Sequence, residues 1–382
     1  PPEIQELLKE RNTVIKKQEE VFNFQKDNIF FYISNFLFME KLKILIAGST
    51  GYIGTELIKI LSKHKFVKIK YLCGNKSAGK KINTFDKTIK YKNLPKIVKF
   101  SKKFLRDVDI VFTATPNGDA QKISKLLLPK NKLIDLSADF RLISKDNYKK
   151  FYKSKHLAPE NISKSIYALP EITKNKVKKF KIISCPGCYP TTILLPLLPL
   201  LKKNLIKSKN IIIDSKSGYS GAGRGVHKKF KDKNLYESLS VYGIPTHWHI
   251  SEIQQELDKY INKKVKFLFT PHLSPMFRGI LTTMYLETKN NINTDKVISC
   301  LKNFYKKSYF VKIEKKGSLL STNSVINTNN CKISVINSKE KNRIIILSAI
   351  DNLIKGGAGQ AVQNLNNKFN FPERTGLKWE NL

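Results

Sequence analysis

The chain has 382 residues, 41% of them hydrophobic, and 70 Lys plus Arg against 30 Asp plus Glu, a formal net charge of +40 at pH 7. That apolar content supports a sizeable core, most simply shared by two domains, and excludes a disordered chain. The longest apolar run, residues 191–201, is shorter than the roughly 20 residues of a spanning helix and contains Pro196 and Pro199, which are expected to break it, so no membrane span is predicted.

The positive charge raises nucleic-acid binding as a possibility, but the basic residues are spread evenly and form no cluster with interleaved aromatics, so a solvated surface is the expected reading. Only seven of the basic residues are Arg. Where Lys is the default, an Arg inside a motif suggests a need for a planar two-pronged donor, and Arg141, Arg224 and Arg278 qualify. Five cysteines, three of them scattered at positions 73, 300 and 331, form no disulfide framework, and a reducing compartment, the cytoplasm, is expected.

Residues 1–38 read as a charged N-terminal extension. Their apolar stretch "IFFYISNFLF" (29–38) is followed by no small-residue cleavage site and preceded by Glu19, Glu20 and Asp27, so it is not read as a signal peptide. From "KLKILIAGSTGYIGTELIKILSKH" (41–64) the pattern changes to a buried strand, a glycine turn, and apolar Ile53, Leu57, Ile60 and Leu61 at helical spacing. Further buried strands are predicted at 68–73, 108–115, 132–137 and 181–185, separated by helical or loop segments, which predicts a doubly wound parallel sheet over 39–187. After residue 187 the texture is mixed: a helix from Pro190, a strand over 210–218, a helix from Ser251, and strands near "VKFLFTPHLSP" and "GILTTMYLET". This predicts an α+β domain over 188–351. The segment 351–369 reads as a helix entered through glycines that packs back on the first domain, which 352–382 completes.

The turn "GSTGYIG" (48–54) stands between strand and helix, the context in which a glycine pattern indicates dinucleotide binding. Gly48 permits the tight turn, Gly51 lets backbone approach a pyrophosphate and Gly54 lets the helix pack on the sheet; Ser49, Thr50, Tyr52 and Ile53 complete the candidate site. An NAD site calls for Asp or Glu at the end of the second strand, whereas "YLCGNKSAGKK" (71–81) offers Lys76, Ser77, Lys80 and no acid, so NADP is the predicted cofactor.

"ISCPGCYPTTILLPLL" (183–198) admits three readings. A zinc site lacks a second pair of ligands, and no metal is predicted. A redox disulfide between Cys185 and Cys188 is an alternative. The preferred reading uses Cys188 alone: just ahead of Pro190 it would stand at a helix N-terminus, whose dipole and amides favour a thiolate and an oxyanion, with Gly187 keeping the approach open.

Together with "PGCYPT", the stretches "DLSADFRL" (135–142), "YALPEI" (167–172), "SGYSGAGR" (217–224), "YGIPTHWHISEIQQEL" (242–257) and "DNLIKGGAGQAVQNLN" (351–366) resemble the N-acetyl-γ-glutamyl-phosphate reductase family over 39–382. The resemblance implies a Rossmann-type NADP-binding domain joined to a catalytic and dimerisation domain, as in aspartate-semialdehyde and glyceraldehyde-phosphate dehydrogenases. It further implies a homo-oligomer, dimer or tetramer. The implied reaction is NADPH-dependent reduction of N-acetyl-L-glutamyl 5-phosphate, a small acyl phosphate, to N-acetyl-L-glutamate 5-semialdehyde in arginine biosynthesis. Asn352, Gly356 and Gly357 are implied to approach the nicotinamide. One departure is that the family usually has Asn where this chain has Cys185.

The chemistry assigns parts independently. Cys188 is the expected nucleophile. "HWHISE" presents His249 as the preferred acid/base and His247 as the second choice, with Glu252 three residues on, placed to orient the imidazole or raise its basicity. Arg141 and Arg224 are candidates for the substrate's phosphate or carboxylate, the alternative for each being a structural ion pair. Rival functions are a paralogous reductase acting on aspartyl phosphate or on carrier-bound aminoadipyl phosphate and, from another class, a nucleic-acid-binding module.

Overall fold

The first strand, β1 (Leu42–Ala47), ends in four buried residues and is hydrogen-bonded on both sides, as expected of a strand inside a parallel sheet. The structure is a computed structural model that describes residues 40–91, 93–225, 236–290 and 292–377; the extension expected over 1–38 lies outside the described residues. After β1 come α1 (Tyr52–Ser62), β2 (Val67–Cys73), β3 (Ile97–Val98), β4 (Ile110–Thr113), α2 (Asp119–Leu126), β5 (Lys132–Asp135), α3 (Lys145–Tyr152), β6 (Ser165–Tyr167), α4 (Pro170–Thr173) and β7 (Ile182–Ser184). The strand order is β3-β2-β1-β4-β5-β7-β6, parallel throughout. Chain direction across the sheet reverses between β1 and β4, the place where an open α/β sheet binds its ligand.

The second half contains α5 (Cys188–Lys202), β8 (Ile211–Gly218), β9 (Ser240–Val241), α6 (His249–Ile261), β10 (Phe267–Ser274), β11 (Ile280–Glu287), α7 (Thr294–Tyr305), β12 (Val311–Ile313), β13 (Cys331–Asn337) and β14 (Arg343–Ile350). Its sheet runs β12-β13-β14-β11-β8-β10-β9 and is mixed, with β8/β10 and β12/β13 parallel. One face is covered by α5, α6 and α7, whose Ile193, Leu197, Ile253, Leu257, Val297 and Leu301 share a core with Ile213, Met284 and Ile346 of the strands. The other face exposes Ile212, Leu268 and Tyr285.

Pro196 and Pro199 do not break α5, contrary to expectation. Pro199 has no N–H for the carbonyl of Leu195, and the hydroxyl of Tyr305 on α7 donates to that carbonyl at 2.6 Å instead.

After β14 the chain makes a π-helical turn, Ile354–Ala358, and then α8 (Gly359–Phe369). Ile354, Ala358, Ala361, Val362 and Leu365 share a core with Ile44 and Ile46 of β1, so this C-terminal segment packs on the first sheet. Strands β12 to β14 and helix α7 lie in a stretch from which no elements were predicted.

Candidate active site

At the glycine turn, Gly48 leaves β1 at φ +80, and a Cβ there would lie 2.2 Å from the carbonyl oxygen of Ala114 at the end of β4. A Cβ on Gly54 would lie 2.2 Å from the Gly48 carbonyl oxygen. Both positions therefore exclude a side chain, whereas one on Gly51 would meet only that oxygen, at 3.6 Å, leaving an open face ahead of α1. The first amides of α1 have no acceptor within their own helix and point toward that opening, an arrangement fitted to a pyrophosphate. Ser49 is buried and its hydroxyl donates to the Cys73 carbonyl at the end of β2. Ser77 is buried against Gly74, while Lys76 and Lys80 are exposed.

Arg224 is exposed and sits on the same turn: its Nε donates to the Thr50 carbonyl at 2.7 Å and its guanidinium lies 4.3 Å from the centroid of the Tyr52 ring. Asn352 is buried; its Oδ1 accepts from the Gly279 amide at 2.7 Å and its Nδ2 donates to Ser220 at 3.0 Å.

Cys188 is the first residue of α5, capped by Gly187 in extended backbone. A Cβ on Gly187 would lie 2.4 Å from Nε2 of His249, so the imidazole rests on the glycine beside the thiol. On another side, a Cβ on Gly356 would lie 2.7 Å from the Cβ of Cys188, and one on Gly357 would lie 2.5 Å from Cδ1 of Ile53 in α1. The thiol and the nucleotide-side helix thus abut successive residues of one π turn, a deformation often found at functional sites.

Burial pushes the Cys188 pKa up to about 11, against the pull of Arg141 and of the Tyr189 amide. Desolvation thus opposes the thiolate that the amides at the start of α5 and the Arg141 charge favour. Burial and the Arg141 charge hold His249 well below its usual value of 6.5. Its Nδ1 is buried without a hydrogen-bond partner. A neutral thiol thus stands beside a neutral imidazole.

Glu252 lies on the same face of α6 as His249, at 3.7 Å from its Nε2. That is an ion-pair distance, too long for a hydrogen bond. The carboxylate accepts from Arg141 Nη1 at 2.9 Å, Tyr167 hydroxyl at 3.2 Å and the Gly187 amide at 3.0 Å. It anchors the turn that carries the nucleophile; the neighbouring imidazole is left less basic overall by its burial and by the Arg141 charge. Arg141 is buried; Nε donates to the Cys185 carbonyl at 2.9 Å and Nη2 to the Leu136 carbonyl at 3.1 Å. Burial opposes its charge, yet the Glu252 carboxylate raises its pKa overall. Of its two expected roles, the geometry gives the ion pair.

His247 is buried, and its Nδ1 accepts the His249 amide at 3.1 Å at the start of α6, two residues earlier than predicted. Cys185 is buried, a free thiol with the Asn364 amide 3.8 Å away, and burial pushes it to about 12. Among the described residues no His, Cys, Asp and Glu group could hold a metal ion, and no helix is long and apolar enough to cross a membrane. Tyr167 and the contact between Gly356 and Cys188 were not foreseen; the "YALPEI" and glycine motifs held both residues but not their placement.

Residues 43–180 match the model for the semialdehyde dehydrogenase NAD-binding domain, and 188–352 match the model for the semialdehyde dehydrogenase dimerisation domain. A Desulforamulus reducens protein named N-acetyl-γ-glutamyl-phosphate reductase is 40% identical over 89% of this chain and 99% of its own. The chain belongs to this family of reductases. An Arabidopsis thaliana protein named as a probable chloroplastic member is 41% identical over 88% of this chain and 84% of its own. The fold is that of Vibrio cholerae aspartate semialdehyde dehydrogenase II, with a TM-score of 0.65 at 16% identity over 87% of this chain and 99% of that one. Within a reductase of this family, the glycine turn belongs to the NAD(P)-binding domain, and Cys188 is where the second domain begins.

Proposed function

We propose that this reductase converts N-acetyl-L-glutamyl 5-phosphate to N-acetyl-L-glutamate 5-semialdehyde and phosphate through a thioester on Cys188. The observation that carries this reading is the meeting of thiol, imidazole and nucleotide-side helix around Gly187, Gly356 and Gly357. The Cys188 sulfur attacks the acyl carbon as its proton passes to His249 Nε2, the nitrogen that rests on Gly187. Glu252, at 3.7 Å, favours the imidazolium so formed. Amides at the start of α5 stabilise the oxyanion, and phosphate leaves as the carbon–oxygen bond breaks. When bound, NADPH supplies the hydride that reduces the thioester. His249 then returns its proton to the departing sulfur. Gly48, Ser49, Thr50, Gly51, Tyr52, Ile53 and Gly54 would hold the pyrophosphate, with Lys76, Ser77 and Lys80 at a 2′-phosphate.

Arg141 acts in this scheme through Glu252, and Arg224, exposed over Tyr52, is the remaining guanidinium for a substrate anion. His247 supports α6, and Asn352 forms the wall behind the nicotinamide. A second copy of the chain would cover the outer face of the second sheet, where Ile212, Leu268 and Tyr285 line a 650 Å³ concavity, and the cytoplasm is the proposed compartment.

The test is NADPH oxidation with N-acetylglutamyl phosphate, aspartyl phosphate and carrier-bound aminoadipyl phosphate in parallel. Turnover with the first alone is expected; comparable turnover with either of the others would reject the assignment. NADPH is expected to give a clearly higher kcat/KM than NADH, since no carboxylate follows β2 to take a free ribose hydroxyl. Equal values would reject the placement of Lys76, Ser77 and Lys80.

A further inference from the structure

Arg278 is the third arginine that stood out in a lysine-rich chain, and the reaction as drawn does not use it. It follows Phe277, whose ring meets Tyr52 edge-on with centroids 5.2 Å apart. Its Nη2 donates to Glu56 Oε1 at 2.6 Å, reaching α1 two residues past Gly54. Its Nη1 donates to Asp351 Oδ2 at 3.2 Å and to Asn327 Oδ1 at 2.5 Å. The other oxygen of Asp351 accepts the amides of Leu353 at 2.8 Å and Ile354 at 3.1 Å, where the π turn begins. Glu56, Arg278 and Asp351 side chains are 6%, 13% and 0% exposed, so these are desolvated ion pairs, for which losing one partner is costly.

We propose that Arg278 is a positioning residue that sets the register between the nucleotide-binding helix and the thiol. The path is contiguous: α1 through Glu56 to Arg278, then Asp351, the π turn and Gly356 against Cys188. A guanidinium is suited to this because its fixed fork reaches carboxylates on two elements at once, which a lysine ammonium cannot do with the same geometry. Hydride transfer needs both elements placed to a fraction of an ångström, whereas acylation of Cys188 needs the thiol on its braced turn and His249 but not the nucleotide-binding helix.

This rests on the thioester reading above and predicts a split between half-reactions. Without cofactor, wild-type protein mixed with N-acetylglutamyl phosphate should release a burst of one phosphate per chain; a missing wild-type burst would reject the thioester reading itself. In Arg278→Lys, and independently in Glu56→Gln, the burst should persist, while NADPH-dependent kcat falls roughly 10- to 100-fold and KM for NADPH rises. The double variant should be no worse than Arg278→Lys alone, because both break one link. Equal loss of burst and reduction, fully additive effects, or unchanged kcat and KM for NADPH in well-folded variants would each overturn the positioning role.

Discussion

The state of the Cys188 thiol in the resting protein decides how the first step begins. With burial holding its pKa up at about 11, the thiolate fraction at pH 8 is roughly one in a thousand, and forming it costs about 4 kcal/mol. His249, held well below 6.5, is neutral at that pH and free to take the proton during attack. The alternative is a preformed thiolate and imidazolium pair, which would need the opposite ordering of the two pKa values. Iodoacetamide alkylation of Cys188, followed by mass spectrometry of the peptide between pH 6 and 10, separates them. The rate should climb about tenfold per pH unit from 7 to 10 without levelling. A plateau at or below pH 8 would refute the neutral pair. The sign for His249 is also determined: a base with a depressed pKa stays unprotonated across 6.5, so turnover should hold through that pH and fail only further into acid. Because the unfolded chain takes up a proton there before the folded one does, stability should decline as pH drops below 6.5. His249→Asn should lower kcat by roughly 100-fold or more, the usual worth of a general base, whereas His247→Asn should act mainly through the start of α6; the reverse ranking exchanges their roles.

Cys188→Ser should abolish turnover and leave NADPH binding by the glycine turn intact, while Cys185→Ser keeps most activity; equal loss in both would revive the disulfide reading. Glu252→Gln strands the buried Arg141 charge and should cost about 3–5 kcal/mol of stability by denaturant unfolding, against the small effect expected of a residue that only steadies an imidazole. Tyr305→Phe leaves the Leu195 carbonyl without a donor beside Pro199, and should cost about 1–3 kcal/mol; no change in the unfolding midpoint would mean that water or another group satisfies that carbonyl.

The glycine turn, the start of α6 at "HWHISE" and the thiol at the head of α5 were legible because each is defined within a few residues: strand, turn and helix are neighbours in the chain, and their patterns are local. The C-terminal return to the first sheet was legible for the same reason, as an apolar helical face with glycines at its entry, although its π-helical first turn was not. Strands such as "CKISVIN" and "RIIILSAI" have recognisable patterns, but nothing in them states that β14 lies between β13 and β11. Periodicity reports which face is buried, not against what.

The same limit applies to the buried cations. Arg141 pairs with a carboxylate 111 residues away, Lys355 with one 184 away and Arg278 with one 222 away. In each case the motif contains the cation and leaves the partner to the fold. An arginine read by itself looks like an anion receptor, and one whose Nε, Nη1 and Nη2 are already engaged by protein acceptors becomes a brace. Arg141 braces the turn of the nucleophile through Glu252, Lys355 holds the π turn through Glu171, and Arg278 ties that turn to α1. Buried ion pairs add little net stability when compared with apolar packing, yet each is expensive to break, so they fix register more than they add energy. Around a reaction that must bring a thioester and a hydride donor into line, register is the quantity that counts, and each of these buried pairs ties the thiol's turn or the π turn to another element.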